Sequence, residues 1–302
     1  MIVIHVMGGL GNQLYQYAMY EKLRSIGKNV KLDTYAYSDN AGDDKEWRKL
    51  ELDRFPHVKY ECCTEEDRTL LLDNSMSAFS RIRRKLTGRK DKTVRETQDY
   101  MPQIFSMDNV YLYGFWNCEK YYEDMQPLLR QKLQFPQSSD KTVDDKNRKC
   151  IEQMVQENSV SLHIRRSDYL TVADGKRYMG ICTDDYYAKA IEYIKQRVDN
   201  PVFYIFSDDA EYVRSHYKSA NMRVVDWNSG DNSLFDMQLM SCCKHNICAN
   251  STFSIWGARL NPHNDKIMIR PLHHDNYEKT EPEQIKEYWK DWVLLDAEGK
   301  LV

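Results

Sequence analysis

The segment Ser159-Val-Ser-Leu-His-Ile-Arg-Arg-Ser-Asp168 decides the fold expected for this chain. Its apolar first half predicts a short buried strand, and that strand ends in two adjacent arginines, Arg165 and Arg166. Open α/β sheets bind their ligands at the carboxyl ends of the strands. Guanidinium groups suit phosphate because they donate in a planar, bidentate pattern and stay charged at any working pH. The segment therefore indicates a phosphate-binding edge, unless the two arginines simply close a strand at the surface.

Alternating strand and helix patterns surround this segment. The predicted strands of the carboxyl half cover 159–164, 201–206, 222–225, 246–249 and 266–269, and the predicted helices between them cover 183–198, 210–217, 233–243 and 254–260. The amino half begins with a strand over 2–7, a helix that continues to residue 25 and a strand over 29–32. Such alternation predicts α/β domains with parallel sheets. We assign residues 1–145 and 146–280 to two domains, and residues 281–302 to a tail whose helix, over 281–294, packs back on the body.

A glycine-rich loop, Gly8-Gly-Leu-Gly-Asn-Gln13, follows the first strand. Its backbone N–H groups and the start of the next helix suit an anion, so Gly9 and Gly11 are candidate donor-binding residues. A dinucleotide fingerprint is the alternative, because Asp33 ends the next strand at a suitable distance. The third glycine of that fingerprint is replaced by Leu14, however. A dinucleotide-dependent oxidoreductase is therefore the weaker interpretation.

Composition agrees with a soluble enzyme, which we expect to be cytoplasmic. The 302-residue chain has a formal net charge of -3 and a pI of about 6.3, which gives no reason to expect a nucleic-acid partner. The sequence contains no 18-residue apolar stretch and opens directly on a strand, without the pattern of a signal peptide. Its eight cysteines include no Cys-x-x-Cys spacing, so we expect reduced thiols rather than a zinc or redox site.

Four motifs occur in the order found in one known family. They are the glycine loop 8–13, the segment 163–168, Phe206-Ser-Asp-Asp209 and Asn250-Ser-Thr-Phe-Ser-Ile-Trp-Gly-Ala258. This set resembles the bacterial α-1,2-fucosyltransferases of glycosyltransferase family 11. The resemblance implies a GT-B-like α/β fold, with two Rossmann-type domains whose parallel sheets face each other across a cleft. It also implies inverting transfer of L-fucose from GDP-β-L-fucose to the 2-hydroxyl of a terminal galactoside.

The resemblance also implies roles for individual residues. Arg165 would contact the β-phosphate, His163 would line the same pocket, and Arg166 would hold either the phosphate or a nearby acid. The residues that would present hydroxyls and backbone N–H groups to the phosphates are Ser251, Thr252 and Phe253, and an ordinary Ser/Thr helix cap is compatible with this role. A carboxylate accepts both guanine N–H donors at once, so Asp208 or Asp209 is expected to read the base or, alternatively, to cap the helix that begins at residue 210.

The chemistry of the reaction suggests candidates for the general base and indicates whether a metal is expected. Asp168 is the first candidate for the base because it follows the arginines toward the cleft, and orienting Arg166 is its alternative role. Asn12 is placed near the acceptor by the resemblance, although an amide is a poor proton acceptor. The sequence contains no Asp-x-Asp, the metal-binding pattern common in metal-using transferases. We therefore expect no metal or other cofactor, with Arg165 and Arg166 neutralising the departing diphosphate.

Other functions and one other surface stay open. The phosphate motifs fit another GT-B transferase with a different nucleotide sugar, and a non-catalytic sugar-binding protein is a weaker candidate. The basic residues between 81 and 95 form either a solvated surface or a peripheral contact with an anionic membrane that carries a lipid-linked acceptor. Within the irregular amino half, Trp116 is a candidate for sugar stacking or for the core.

Overall fold

The computed structural model describes residues 1–39, 41–42, 45–166, 169 and 175–302. The chain forms two compact units, Met1–Gln134 and Phe135–Val302. Residues 135–145, which the sequence analysis assigns to the first domain, belong to the second unit. They include the start of a helix whose first turn is capped by Asp140, which accepts from the N–H groups of Thr142 and Val143.

The elements are numbered in chain order. The strands are β1 (Ile2–His5), β2 (Val30–Asp33), β3 (Thr93–Arg95), β4 (Val110–Tyr113), β5 (Asn158–Ile164), β6 (Pro201–Ser207), β7 (Met222–Val225), β8 (His245–Ile247), β9 (Met268–Pro271) and β10 (Val293–Leu295). The α-helices are α1 (Leu10–Ser25), α2 (Glu65–Leu72), α3 (Ala78–Thr87), α4 (Gln126–Lys132), α5 (Lys141–Gln156), α6 (Gly175–Tyr178), α7 (Asp184–Lys195), α8 (Ala210–His216), α9 (Leu234–Cys242), α10 (Thr252–Leu260) and α11 (Pro282–Tyr288). Short 3₁₀ turns connect several of them.

The first unit contains a four-stranded parallel sheet in the order β2-β1-β4-β3. Helix α1 connects β1 to β2 and buries most of its residues, including Leu14, Tyr15, Tyr17 and Tyr20. Strand β2 lies on one side of β1, and the later strand β4 lies on the other side. The order in which strands are added therefore reverses between β1 and β4. Loops that follow these two strands therefore lie where open sheets of this kind place their ligands.

The second unit contains a six-stranded parallel sheet in the order β10-β9-β8-β5-β6-β7. Strands β6 and β7 follow β5 on one side of the sheet, and β8, β9 and β10 are added on the other side. The order in which strands are added therefore reverses between β5 and β8. Such a switch point places the expected ligand crevice beyond the carboxyl ends of these two strands.

Alternating side chains of β6 reach two separate cores, one on each face of the second sheet. Val160, Leu162 and Ile164 pack with α7 residues such as Tyr186 and Ile191. The opposite core contains residues of α5, β6 and α9, among them Met154, Phe206 and Leu239. Coverage on both faces is what allows a parallel sheet to be buried. The predicted α/β class with two parallel sheets is confirmed.

Two parts of the chain differ from the sequence prediction. The tail forms α11 and then β10, which pairs with β9, rather than one helix over 281–294. The sequence also predicts a helix near 118–133, and this region instead consists of two 3₁₀ turns and the short helix α4. Among the described residues, no helix combines the length and the apolar character that a membrane crossing requires.

Candidate active site

The carboxyl ends of β5 and β6 bring the paired arginines and the paired aspartates together. These strands are in parallel register, with Ile164 opposite Ser207, so the residues that follow emerge side by side. Asp208 Oδ2 lies 3.3 Å from Arg165 Nε, and Asp208 Oδ1 accepts from the backbone N–H of Arg166 at 2.9 Å. One carboxylate thus fixes both the first arginine side chain and the backbone of the second.

Arg166 is held on two sides. Its Nε lies 3.4 Å from Asp209 Oδ2, and its guanidinium carbon lies 3.6 Å from the centre of the Tyr212 ring. Asp209 also caps α8, because its other carboxylate oxygen accepts from Tyr212 N–H at 3.0 Å. The sequence leaves two roles open for these aspartates, guanine recognition and helix capping. Asp209 does cap the helix, and both acids also contact an arginine.

The crevice between β5 and β8 contains four other predicted residues. His163 is almost fully buried, and its ring lies 6.1 Å from that of Phe253. Ser251 is the N-cap of α10, yet within the described part of the chain its side chain makes no capping hydrogen bond. Ser251, Thr252 and Phe253 are all partly exposed. The first turn of α10, with the positive end of its dipole, therefore lies beside the strand that carries the arginines.

A cluster of tyrosine and amide side chains, which the sequence did not predict, packs at the same carboxyl edge of the second sheet. Asn250 is buried, and its amide donates to the carbonyl oxygens of Tyr178 at 3.2 Å and His274 at 3.1 Å. Tyr169 donates to the Asn250 carbonyl at 2.9 Å and stacks on Tyr178. Burial lowers the pKa of His274 to about 4, so this ring is neutral near pH 7. These contacts join α6 to the loops that follow β8 and β9.

The glycine loop of the first unit is held by polar side chains. Gly8 has a φ of +78°, which favours glycine, and its N–H donates to Glu46 Oε2 at 2.8 Å. Its carbonyl accepts from Gln13 and from Tyr37. A carboxylate therefore occupies the Gly8 N–H donor that an anionic ligand would use. Glu46 is 38 positions from Gly8, and no sequence pattern connects the two.

The predicted residues Gly9, Gly11 and Asn12 lie at the start of α1. Gly9 is the N-cap of the helix and has an extended backbone conformation, and Gly11 is buried within the first turn. Asn12 is partly exposed, and its backbone N–H donates to the Gly9 carbonyl at 3.0 Å. The residues are placed at the carboxyl end of β1 as predicted, and what they bind stays a prediction.

A second loop of the first unit contains features that the sequence did not reveal. Glu96 follows β3, accepts from Phe115 N–H at 2.6 Å, and has a pKa raised to about 7 by burial. Trp116 is fully buried and has a φ of +58°, a strained value for a bulky residue. Its ring packs edge-on against Tyr121, so Trp116 is a core residue rather than an exposed sugar platform.

A hydrogen-bonded chain crosses the carboxyl edge of the first sheet. Tyr111 donates to Asp33 at 2.7 Å, and His5 Nδ1 lies 2.8 Å from the same hydroxyl. Asp33 is nearly fully buried, so this chain satisfies its carboxylate. Asp33 had been the acid of the dinucleotide alternative. Its carboxylate already accepts hydrogen bonds from Tyr111 and from the N–H of Tyr35, which disfavours a role in binding a ribose.

Two predictions about catalysis are not tested by these contacts. Asp168, the first candidate for the general base, lies outside the described residues. Among the residues that are described, no three His, Cys, Asp or Glu side chains form a group that could hold a metal ion.

Comparison with known proteins gives matches over most of the chain. The model of the family described as glycosyl transferase family 11 matches residues 85–296. An alpha-1,2-colitosyltransferase of Escherichia coli is 30% identical, over 98% of this chain and 99% of its own length. The O-antigen biosynthesis glycosyltransferase WbnK of Escherichia coli is 29% identical, over 87% and 91%. The galactoside 2-alpha-L-fucosyltransferase SEC1 of Bos taurus is 33% identical over a shorter stretch, 33% of this chain and 28% of its own.

A solved structure also aligns with the chain. It is a NodZ alpha-1,6-fucosyltransferase soaked with GDP-fucose, which has 15% sequence identity and a TM-score of 0.46, over 86% of this chain and 92% of its own. The family model covers more than two thirds of the residues, and the colitosyltransferase aligns with nearly the whole sequence. The chain therefore belongs to glycosyltransferase family 11.

Proposed function

We propose that this glycosyltransferase moves L-fucose from GDP-β-L-fucose to the 2-hydroxyl of a terminal galactoside, with inversion at the anomeric carbon. The observation that carries the proposal is the pair of arginines at the end of β5, held by Asp208 and Asp209 beside the start of α10. The α-1,2 linkage is proposed from the colitosyltransferase relative, and fucose and the galactoside are proposed from the galactoside 2-alpha-L-fucosyltransferase relative.

The arginines act on the leaving group in this proposal. As the bond to the sugar breaks, negative charge grows on the departing diphosphate, and fixed cations stabilise that charge without reorganising. Asp208 and Asp209 keep the two guanidinium groups in place before the donor arrives. The N–H groups of the first turn of α10 supply further donors on the neighbouring strand. Such preorganisation replaces the metal ion that other transferases use.

The motif implied that Asp208 or Asp209 recognises guanine, and we propose another role for both residues. Asp208 and Asp209 are both engaged with arginines, so we propose that they position the phosphate-binding groups rather than read the base. His163 and Phe253 line the crevice in which the nucleotide would lie. The general base remains proposed as Asp168, with Asn12 orienting the acceptor.

A second donor deserves a direct comparison because a relative that matches nearly the whole chain is named a colitosyltransferase. Colitose is fucose without its 3-hydroxyl group. A site built to hydrogen-bond that hydroxyl would reject the deoxy sugar strongly, because its own polar groups would be left unpaired. A site without such a contact would accept both donors, or would prefer colitose.

The proposal is tested by transfer assays with defined donors. The purified chain is incubated with lactose and, in turn, GDP-fucose, GDP-colitose and UDP-galactose, and the product linkage is read by NMR. We expect an α-1,2-linked fucoside from GDP-fucose. Transfer from GDP-colitose alone would shift the proposal to the second donor, and transfer from UDP-galactose alone would contradict it.

Metal independence is tested in the same assay with EDTA. We expect turnover to be retained, because the sequence lacks Asp-x-Asp and places two arginines at the phosphate edge. Complete loss that Mn²⁺ or Mg²⁺ restores would contradict this part of the proposal.

A further inference from the structure

Helix α3 presents an apolar stripe to solvent. Phe79, Ile82 and Leu86 are 79%, 59% and 79% exposed, and all ten residues of the helix are at least partly exposed. The spacing of three and four residues places these side chains on one face of the helix. Met76, just before the helix, is 80% exposed as well. Surface helices of globular proteins normally turn such a face toward the core.

Two arginines attach α3 to the protein. Arg83 forms an ion pair with Asp73, and Arg84 donates to the carbonyl oxygens of Asp73 at 3.1 Å and Ser75 at 2.7 Å. Asp73 ends α2 with a φ of 50° and is largely buried, so it is a fixed anchor. The helix is therefore held through these two arginine side chains, while its apolar stripe stays exposed.

The charge around the stripe identifies the kind of partner. Residues 74–90 contain six cations, namely Arg81, Arg83, Arg84, Lys85, Arg89 and Lys90, and no acid. Arg81 and Lys85 are exposed and are separate from the ion pair with Asp73. A second copy of the chain docked by twofold symmetry on this face would bring the same cations together, which opposes a dimer. An anionic surface is attracted instead.

We propose that α3 is an interfacial helix that docks the protein on an anionic lipid bilayer, with Phe79, Ile82 and Leu86 inserted below the headgroups. Apolar residues on one face and cations beside them are the properties of helices that lie in the membrane surface. Arg81 and Lys85 then contact the lipid phosphates, while Arg83 and Arg84 keep the helix attached to Asp73. This narrows the membrane contact expected from residues 81–95, because two of those arginines face the protein.

The test is vesicle flotation of the full chain without donor or acceptor, so its result is independent of the proposed sugar transfer. Vesicles consist of phosphatidylcholine alone or of phosphatidylcholine mixed with phosphatidylglycerol. We expect flotation with the anionic vesicles only, and weakening as salt is raised. The double variant Phe79→Ser/Leu86→Ser should lose about ten-fold or more in partitioning, and so should Arg81→Glu/Lys85→Glu.

Matched controls make the outcome decisive. Val155→Ser/Leu301→Ser removes two exposed apolar side chains, at 60% and 66%, from elsewhere in the chain and should float like the wild type. All variants should keep transfer to a soluble acceptor, because α3 contributes no residue to the candidate site. Equal flotation of wild type and the Phe79/Leu86 variant would overturn the proposal. So would a wild type that stays unbound but changes from dimer to monomer, by analytical ultracentrifugation, when these residues are replaced.

Discussion

The two adjacent arginines are alike in sequence and different in their surroundings. Arg165 lies 3.3 Å from the carboxylate of Asp208, whereas Arg166 lies between Asp209 and the face of Tyr212. A guanidinium group stacked on an aromatic ring and paired with an acid has little freedom to turn. We therefore assign the direct phosphate contact to Arg165 and a more restrained position to Arg166.

Asp209→Asn tests this positioning. The change keeps an oxygen that can cap α8 but removes the charge that holds Arg166, so GDP should bind about ten-fold more weakly or worse. Discrimination between GDP and UDP should persist, since Asp209 does not read the base in our proposal. Calorimetry with both nucleotides measures this. Glu157→Gln, which alters an arginine partner at the other end of β5, is the control and should bind GDP normally.

If Asp209→Asn bound GDP no more tightly than it binds UDP, the variant would have lost discrimination between the two bases. That result would contradict the positioning role and assign Asp209 to guanine recognition.

The sequence was informative about the donor-side residues because neighbouring parallel strands bring their carboxyl ends together. Recognising β5 and β6 is therefore enough to place Arg165 near Asp208. The specific contacts were not predictable, because each aspartate had two chemically reasonable partners. Glu46 was missed for another reason: its contact with Gly8 depends on how an irregular segment folds, and no local periodicity reports that.

At the scale of elements, the long and strongly patterned helices and strands were predicted well, and the short ones were not. The predicted strands over 159–164 and 201–206 agree with β5 and β6 to within one residue at each end. Strands β3 and β10 have three residues each, too few to show a period. The run Val293-Leu294-Leu295 extends the sheet beside β9 instead of continuing α11, because a short apolar run fits a strand and a helix equally well.

The turn between β1 and α1 offers a matched pair of glycines. Gly8→Ala should destabilise the chain by about 1–2 kcal/mol, because its φ is +78° and the added Cβ would lie 2.5 Å from Asn12 Nδ2. Gly9→Ala should change stability by less than about 0.5 kcal/mol, since its φ is -78° and the nearest atoms are 4.0 Å away. Urea unfolding compares the two.

Equal destabilisation by the two alanines would contradict the turn geometry described above. If Gly9→Ala is stable but inactive, the loss reports a ligand that approaches the backbone at Gly9.

At the scale of the whole molecule, a buried carboxylate couples stability to pH. Burial raises the pKa of Asp236 from 3.8 to about 7, and its hydrogen bond from Asn228 only partly offsets this. The folded state thus keeps a proton that the unfolded state loses near pH 4. Between about pH 4 and pH 7 the folded state binds more protons, so this group's contribution to stability falls as pH rises.

Asp236→Asn removes that titration while keeping an oxygen for Asn228. The free energy of unfolding of the variant, relative to wild type, should therefore rise from pH 4 to pH 7 by an amount on the order of 1–3 kcal/mol. Urea unfolding across this range checks it. Parallel curves for the two proteins would show that Asp236 does not titrate in this window.

The central claim is that the end of β5 holds the donor diphosphate, and GDP affinity of Arg165→Ala tests it most directly. Isothermal titration should show GDP binding at least ten-fold weaker than wild type, because a charge-assisted contact is lost. Turnover should fall on the order of 100- to 1000-fold. Arg165→Lys should rescue little, since a point charge cannot replace the fork. Arg148→Ala, which removes an exposed, ion-paired arginine on α5, should bind GDP as the wild type does. Wild-type GDP affinity in folded Arg165→Ala would contradict the account.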